Sequence, residues 1–256
     1  MTELFSPTFL SILGGAVVAG LVIWALVYYA AYAVRSQVFG PTFWHGERAT
    51  GQVAITFDDG PSDRTNELLE ILRSEGVRAT FFLLGKRTEQ FGGSARRIVE
   101  DGHEVGNHSY SHPLFLFCPP SKTRSELEKT QEIIRRETGV VPRFARPPYG
   151  VRTPFYFRSA RELGLATVQW SDAGFDWKPF TAQQIADKVL KTARDGSIIL
   201  LHDYGTDQPG RQECVRGLPL ILEGLRAKGL KVVPLADLIP ELTKEKSTRR
   251  DLPRMI

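Results

Sequence analysis

At 256 residues the chain has room for one large α/β domain or two small ones, and enough length to bury a core. Its 33 Lys and Arg exceed its 29 Asp and Glu only slightly, and the excess gathers nowhere but in 244–250, which argues against a nucleic-acid surface, where charge collects in a stripe or face. Two cysteines, Cys118 and Cys214, are too few for a disulfide framework and lack metal-ligand spacing, so the sequence is compatible with one disulfide or with two free thiols.

The first element is apolar, with no charged residue from 4 to 34. A helix needs roughly 20 apolar residues to cross a bilayer, so residues 1–35 are expected to form an N-terminal transmembrane anchor. Tyr28, Tyr29 and Tyr32 near its end suit an interfacial aromatic belt. The rival is a cleaved signal peptide, for which Ala31-Tyr32-Ala33 offers a small-x-small site. Against it, no Lys or Arg precedes the run, which also exceeds the roughly 7–15 apolar residues of such a segment. Residues 36–50, rich in polar and turn-forming side chains, are expected as a linker.

From 51 to 240, short β-rich apolar runs alternate with amphipathic stretches. Strands are expected over 53–57, 79–84, 104–107, 143–146, 165–170, 197–202 and 231–233, and helices over 64–75, 94–101, 121–138, 155–163, 181–194 and 214–228. In 121–138, Leu127, Ile133 and Ile134 share a face with Thr130, Ser121 or Ser125 is placed to cap the start, and Gly139 to close the end. Strict alternation of strand and helix implies a parallel sheet, and about seven such units imply a distorted (β/α) barrel of the TIM type, closed or nearly so. No internal boundary divides it, so a single α/β domain over 51–240 follows the anchor, and 241–256 form a basic, polar tail.

In such a barrel, reactive side chains sit at the C-terminal ends of strands or in the loops that follow. The polar clusters fall there: Asp58 and Asp59, His108 and His112, Arg146, Asp172 and Asp176, and His202. In Asn107-His108-Ser109-Tyr110-Ser111-His112-Pro113, two histidines four apart are expected to meet on one helical turn. Together with one carboxylate of the Asp58-Asp59 pair they make a two-His, one-Asp set that leaves positions open on zinc or a similar divalent ion. The second carboxylate would then serve as a base beside the metal, with Arg146 as its partner. His103 and His45 fall outside this pattern and are expected to be structural or surface residues, the latter packing near the membrane beside Trp44.

Five motifs in order, TFDDG at 56–60, HSYSH at 108–112, RPPYG at 146–150, FDW at 175–177 and LLHD at 200–203, make the chain resemble the NodB-homology domain of the polysaccharide deacetylases. These are metal-dependent carbohydrate esterases that remove N-acetyl groups from chitin-like or peptidoglycan sugars. The resemblance covers essentially the whole of 51–240 and implies Asp58 as general base, Asp59, His108 and His112 as metal ligands, and Arg146 as the salt-bridge partner of Asp58. It further implies the Tyr149 backbone N–H as an oxyanion donor, Asp176 as the group that holds His202, and His202 as general acid. Trp177 would wall the substrate groove and Leu200 line the acetyl pocket. The family often has an aspartate where this chain has Ala173, with Asp172 displaced by one position, so Asp172 is left out of the catalytic set.

The reading is therefore a membrane-anchored hydrolase that deacetylates the amino sugars of a glycan or glycolipid, with a divalent metal, zinc first and cobalt, nickel or manganese as alternatives. Its partners are an N-acetylated glycan or glycolipid and, through the N-terminal helix, the membrane; no nucleic acid is expected, and the oligomeric state is not indicated. Two alternatives stand beside it: the same machinery acting on another amide, or an inactive glycan-binding or scaffold protein, which would have no need of the whole residue set. Envelope glycans favour an extracytoplasmic catalytic domain, whereas Arg35 and Arg48 after the span count toward the cytoplasmic face. The apolar stretch at 114–120, directly after the metal histidines, is expected either to pack on the barrel rim or to face lipid.

Overall fold

The computed structural model describes residues 7–208 and 212–240; the tail expected at 241–256 lies outside the described residues. Helix α1 (Pro7–Tyr32) leads the chain, its side chains from 8 to 29 exposed and its last turn, at Ala30 and Ala31, buried against the domain.

Eight parallel strands then build one curled sheet. In chain order they are β1 (Gln52–Asp58), β2 (Thr80–Leu83), β3 (Glu104–Asn107), β4 (Phe144–Ala145), β5 (Ala166–Thr167), β6 (Asp172–Ala173), β7 (Ile198–His202) and β8 (Lys231–Val232). Their spatial order is β5-β4-β3-β2-β1-β7-β6, with β8 hydrogen-bonded to the first two residues of β1. The helices α2 (Thr65–Ser74), α3 (Gly85–Gln90), α4 (Gly92–Glu100), α5 (Pro120–Thr138), α6 (Pro154–Glu162), α7 (Ala182–Thr192), α8 (Glu213–Ala227) and α9 (Leu235–Leu238) complete the domain.

The strand period of two sorts β1 into two faces. Val53, Ile55 and Phe57 join the main core with Leu68, Leu69 and Leu72 of α2 and Leu218, Ile221 and Leu225 of α8. Ala54 points the other way, into a second cluster with Phe82, Phe144, Val168, Ile198, Leu235 and Leu238 that fills the barrel floor. Thr56 and Asp58 continue that inner face toward the C-terminal end, so the interior passes from apolar floor to polar mouth along one strand.

Most expected elements are present, and the differences have physical reasons. Strand β6 is the two-residue segment Asp172–Ala173, too short to carry a periodic signal. Helix α5 starts at Pro120 with Pro119 at its N-cap and no side-chain cap, so neither Ser121 nor Ser125 caps it; Gly139 does close it, at φ 75°. The sheet stays open between β5 and β6, and part of the expected linker lies along β5 there: Phe43 bridges Val168, donating to the Thr167 carbonyl and accepting from the Gln169 N–H. Cys118 and Cys214 are free thiols, the latter buried in the first turn of α8.

One close approach sets the inner wall. A Cβ on Gly106 would lie 2.5 Å from Cδ1 of Phe82, a ring with no exposed surface. Gly106→Ala is expected to lower stability by about 1–3 kcal/mol through overpacking, measured by urea unfolding; an unchanged midpoint would show that the ring has room to move.

Candidate active site

Asp58 is the last residue of β1 and pairs in register with His202, the last residue of β7. Adjacent parallel strands place register partners on the same face, so both side chains enter the mouth side by side. Asp58 is 2% exposed, and its Oδ1 accepts from Nη1 of Arg146 at 2.7 Å. Arg146 has no exposed surface. Its guanidinium also donates to Thr56 Oγ1 at 2.8 Å and to the Gln169 carbonyl at 2.9 Å, and it lies 4.2 Å from the Phe82 ring centroid. A buried guanidinium needs this many acceptors to offset its lost hydration.

Asp59, His108 and His112 come together as predicted, with ligand atoms within 4.8 Å of one another. Oδ1 of Asp59 is 3.5 Å from Nε2 of His108 and 3.3 Å from Nε2 of His112. His108 Nδ1 is 2.7 Å from the Arg146 carbonyl; because a carbonyl only accepts, the proton sits on Nδ1 and Nε2 presents a lone pair to the cluster. Burial pushes the His112 imidazole down to about 4, which favours its neutral form. Burial opposes ionisation of Asp59, but the neighbouring histidines, His108, His202 and His112, outweigh it and hold the carboxyl well below the usual range. Its Oδ1 is buried yet accepts no hydrogen bond among the described residues. An orphaned carboxylate oxygen facing two imidazole nitrogens is the donor set of a divalent cation with open positions, and the residues fit one.

The histidines do not share a helical turn. They lie in a loop after β3 in which Ser109 (φ 72°) and His112 (φ 59°) are left-handed, which brings the rings to 5.1 Å. The loop is held from outside: Glu126 of α5, 2% exposed, accepts from the N–H groups of Tyr110 and Ser111, from Ser111 Oγ and from Lys122. Nothing in the sequence marked Glu126 beyond its place next to Leu127 on the helix's inner face.

His202 donates from Nδ1 to Asp176 Oδ1 at 2.8 Å, and its backbone N–H donates to Asp176 Oδ2 at 2.7 Å. Burial alone would lower its pKa; the Asp176 carboxylate, with Asp59 and Asp58 behind it, raises it to about 9. Trp177 meets the His202 ring edge-on at 5.4 Å, Tyr204 stacks on it at 4.8 Å, and Leu200, 3% exposed, lies two residues before it on the same face of β7. Tyr149, 62% exposed, sits in a short turn at φ 57° with its ring 4.5 Å from that of His112.

Asp172 pairs in register with Ile199 and Ala173 with Leu200, so Asp172 shares the helix-facing side of the sheet and stays out of the mouth. His103 is structural, its Nδ1 accepting from the Ala79 N–H at 3.0 Å. His45 Nδ1 bonds the adjacent Gly46 carbonyl. Asp203 was missed, although it follows His202 directly. It accepts from Ser62 Oγ and Thr65 Oγ1 and so ties down the turn after Asp59, and burial raises its carboxyl to about 6.

This arrangement has known counterparts. A family model described as polysaccharide deacetylase matches residues 45–168. A peptidoglycan-N-acetylglucosamine deacetylase of Bacillus cereus is 39% identical over 196 residues, covering 76% of this chain and 70% of its own length. The crystal structure of a peptidoglycan N-acetylglucosamine deacetylase in complex with 4-naphthalen-1-yl-N-oxidanyl-benzamide superposes with a TM-score of 0.74 at 36% identity, covering 78% of this chain and 92% of that one. A CE4-family pseudoenzyme from Bacillus anthracis superposes at 0.72 and 27% identity, over 77% of this chain and 68% of that one. The curled parallel sheet, the motif residues gathered at its mouth and this level of identity together mean that the chain belongs to the polysaccharide deacetylase family.

Proposed function

We propose that this chain is a membrane-anchored, metal-dependent hydrolase that removes N-acetyl groups from the amino sugars of a peptidoglycan- or chitin-like glycan or of a glycolipid. The observation that carries the reading is the shared rung of Asp58 and His202 beside the Asp59–His108–His112 cluster, each of the two held by its own buried partner. The Bacillus cereus relative supports an N-acetylglucosamine unit as the substrate.

Amide hydrolysis needs an activated water, a home for the developing oxyanion and a proton for the departing amine. A divalent ion held by Asp59, His108 and His112, zinc by preference for these ligands, supplies Lewis acidity toward water and carbonyl when bound. Asp58, oriented by Arg146, takes the proton that the attacking water gives up. The Tyr149 N–H donates to the oxyanion. His202, kept protonated by Asp176, hands its proton to the amine nitrogen as the C–N bond breaks, leaving acetate and a free amino sugar. Trp177 and Leu200 bound the space for sugar and acetyl methyl. The relatives include a pseudoenzyme, but this chain carries the complete residue set, which a binding role would not require.

Anchoring is supported by the apolar stretch Thr8–Tyr32, 25 residues long and containing an 18-residue window with a mean hydropathy of 2.4. It is supported independently by Arg152. This fully buried guanidinium donates to the carbonyls of Ala33 and, at 3.3 Å, Val34, and the Arg152 N–H donates to the Ala31 carbonyl at 3.1 Å. Cleavage after Ala33 would remove the Ala31 and Ala33 acceptors and leave a buried charge short of partners, at a cost of about 1–3 kcal/mol or more. A retained segment avoids that cost.

With the detergent-solubilised full chain, metal-dependent acetate release is expected from chitooligosaccharides or peptidoglycan fragments. Asp58→Asn should lower it by about 10²–10⁴-fold, and His112→Ala should also lower the bound metal. Release that survives chelation would sink the metal assignment; one equivalent of metal bound without release from any substrate would move the reading to another amide or to binding. The pH profile tests His202 separately. The acid must be protonated, so activity should fall as pH rises through its raised pKa, and Asp176→Asn should move that alkaline limb down toward 6.5. An alkaline limb that stays in place would remove His202 from the acid role.

A further inference from the structure

We infer that the rim of the site made by Leu116, Phe117 and Phe155 is a lipid-contacting surface, so that the mouth works against the bilayer face. This rests on the reading of α1 as a retained membrane span. The first observation is where α1 ends. Arg152, which holds the Ala31 carbonyl in its last turn and the Ala33 and Val34 carbonyls just past it, lies two residues past Gly150 in the loop after β4, and the same loop carries Tyr149. Loops after the C-terminal ends of strands form the mouth of the barrel, so the apolar helix enters the domain at its catalytic end. Helix α1 has no basic residue in its own last turn, and Arg152 supplies the cation that this helix end favours.

The second observation is what surrounds that junction. The Phe115 ring packs 5.4 Å from Tyr156 of α6, and Phe157 of α6 packs against Gly40 in the segment that follows α1. Helix α6 thus lies between the segment that follows α1 and the 115–117 turn. On this patch Phe117 is 80% exposed, Phe155 49% and Leu116 39%. Phe115 is buried and accounts for the anchoring of the turn, so the exposure of its two neighbours serves no internal packing. Exposed aromatic side chains next to a membrane-spanning helix suit the headgroup boundary, where such rings settle about 5–10 Å deep.

The test uses the full chain reconstituted in phosphatidylcholine–phosphatidylglycerol vesicles, with an environment-sensitive fluorophore attached through Phe117→Cys or Phe155→Cys in a Cys118→Ser background. Cys214 is buried and stays native. Acyl-brominated lipid should quench both probes to at least about half the extent seen for a probe at Val18→Cys within the span. A probe at Val141→Cys, 53% exposed and placed before β4 at the opposite end of the barrel, should not be quenched. Unquenched 117 and 155 probes with a quenched Val18 probe would overturn the lipid rim and leave the anchor standing. An unquenched Val18 probe would overturn the anchor itself. Thermal melts of the labelled chains verify folding, and a second arm reads function: Leu116→Ser with Phe117→Ser should keep turnover of a soluble chitooligosaccharide while lowering turnover of an acetylated glycolipid in the same vesicles. Equal loss on both substrates would overturn the inference.

Discussion

The buried ion pair between Arg146 and Asp58 is the contact on which the rest of the site depends. Removing one member of such a pair leaves an uncompensated charge in the interior, a loss of about 3–5 kcal/mol. Here the cost would fall on more than one group. The Arg146 guanidinium also engages Thr56 and Gln169 and lies on Phe82, whose ring touches the wall at Gly106, while the backbone carbonyl of the same residue, independently of its side chain, fixes the His108 tautomer. The chain then turns at once through Pro147 and Pro148 to Tyr149 and reaches Arg152, which holds the end of α1. One stretch of seven residues, 146–152, therefore sets the proposed base, orients a proposed metal ligand, carries the proposed oxyanion donor and grips the apolar helix.

Backbone strain shows where this organisation is tightest. Asp59, Ser109, His112, Tyr149 and Phe175 are all left-handed non-glycine residues, and each lies in a loop that reaches the mouth. Each costs about 1–3 kcal/mol relative to relaxed backbone and persists only because its surroundings fix it. Glu126 does so for the 109–112 loop and Asp203 for the turn after Asp59. The mouth is thus held by side chains from helices and strands that do not themselves face the substrate.

The alternation of strands and helices, the C-terminal placement of the polar clusters and the pairing of His108 with His112 were legible in the sequence, because each follows from short-range pattern; that Asp59 and not Asp58 joins the two histidines came only from the family resemblance. What was not legible depends on long-range pairing. The loop conformation between His108 and His112 is set by Glu126, distant in sequence and unmarked by any local signal. The side on which Asp172 falls depends on its register with β7, which no neighbouring residue reveals. The buried Arg152 reads locally as one more surface arginine, and only its meeting with carbonyls more than a hundred residues earlier gives it a role.

That meeting also explains the course of the chain between α1 and β1. The sheet is open between β5 and β6, and an open edge exposes unpaired backbone groups. The segment after α1 runs from Arg152 at the mouth, past Phe43 on the β5 edge, to Gly46 on the floor, where its N–H bonds the Gly196 carbonyl just before β7. It covers part of that edge on the way. Arg35 meanwhile lies 4.5 Å over the Trp44 ring, which folds this stretch back on itself. A flexible tether would leave both the seam and the buried Arg152 unsatisfied. The same residues that finish the barrel thus fix the direction in which α1 leaves it, and with it the side of the domain that carries the mouth.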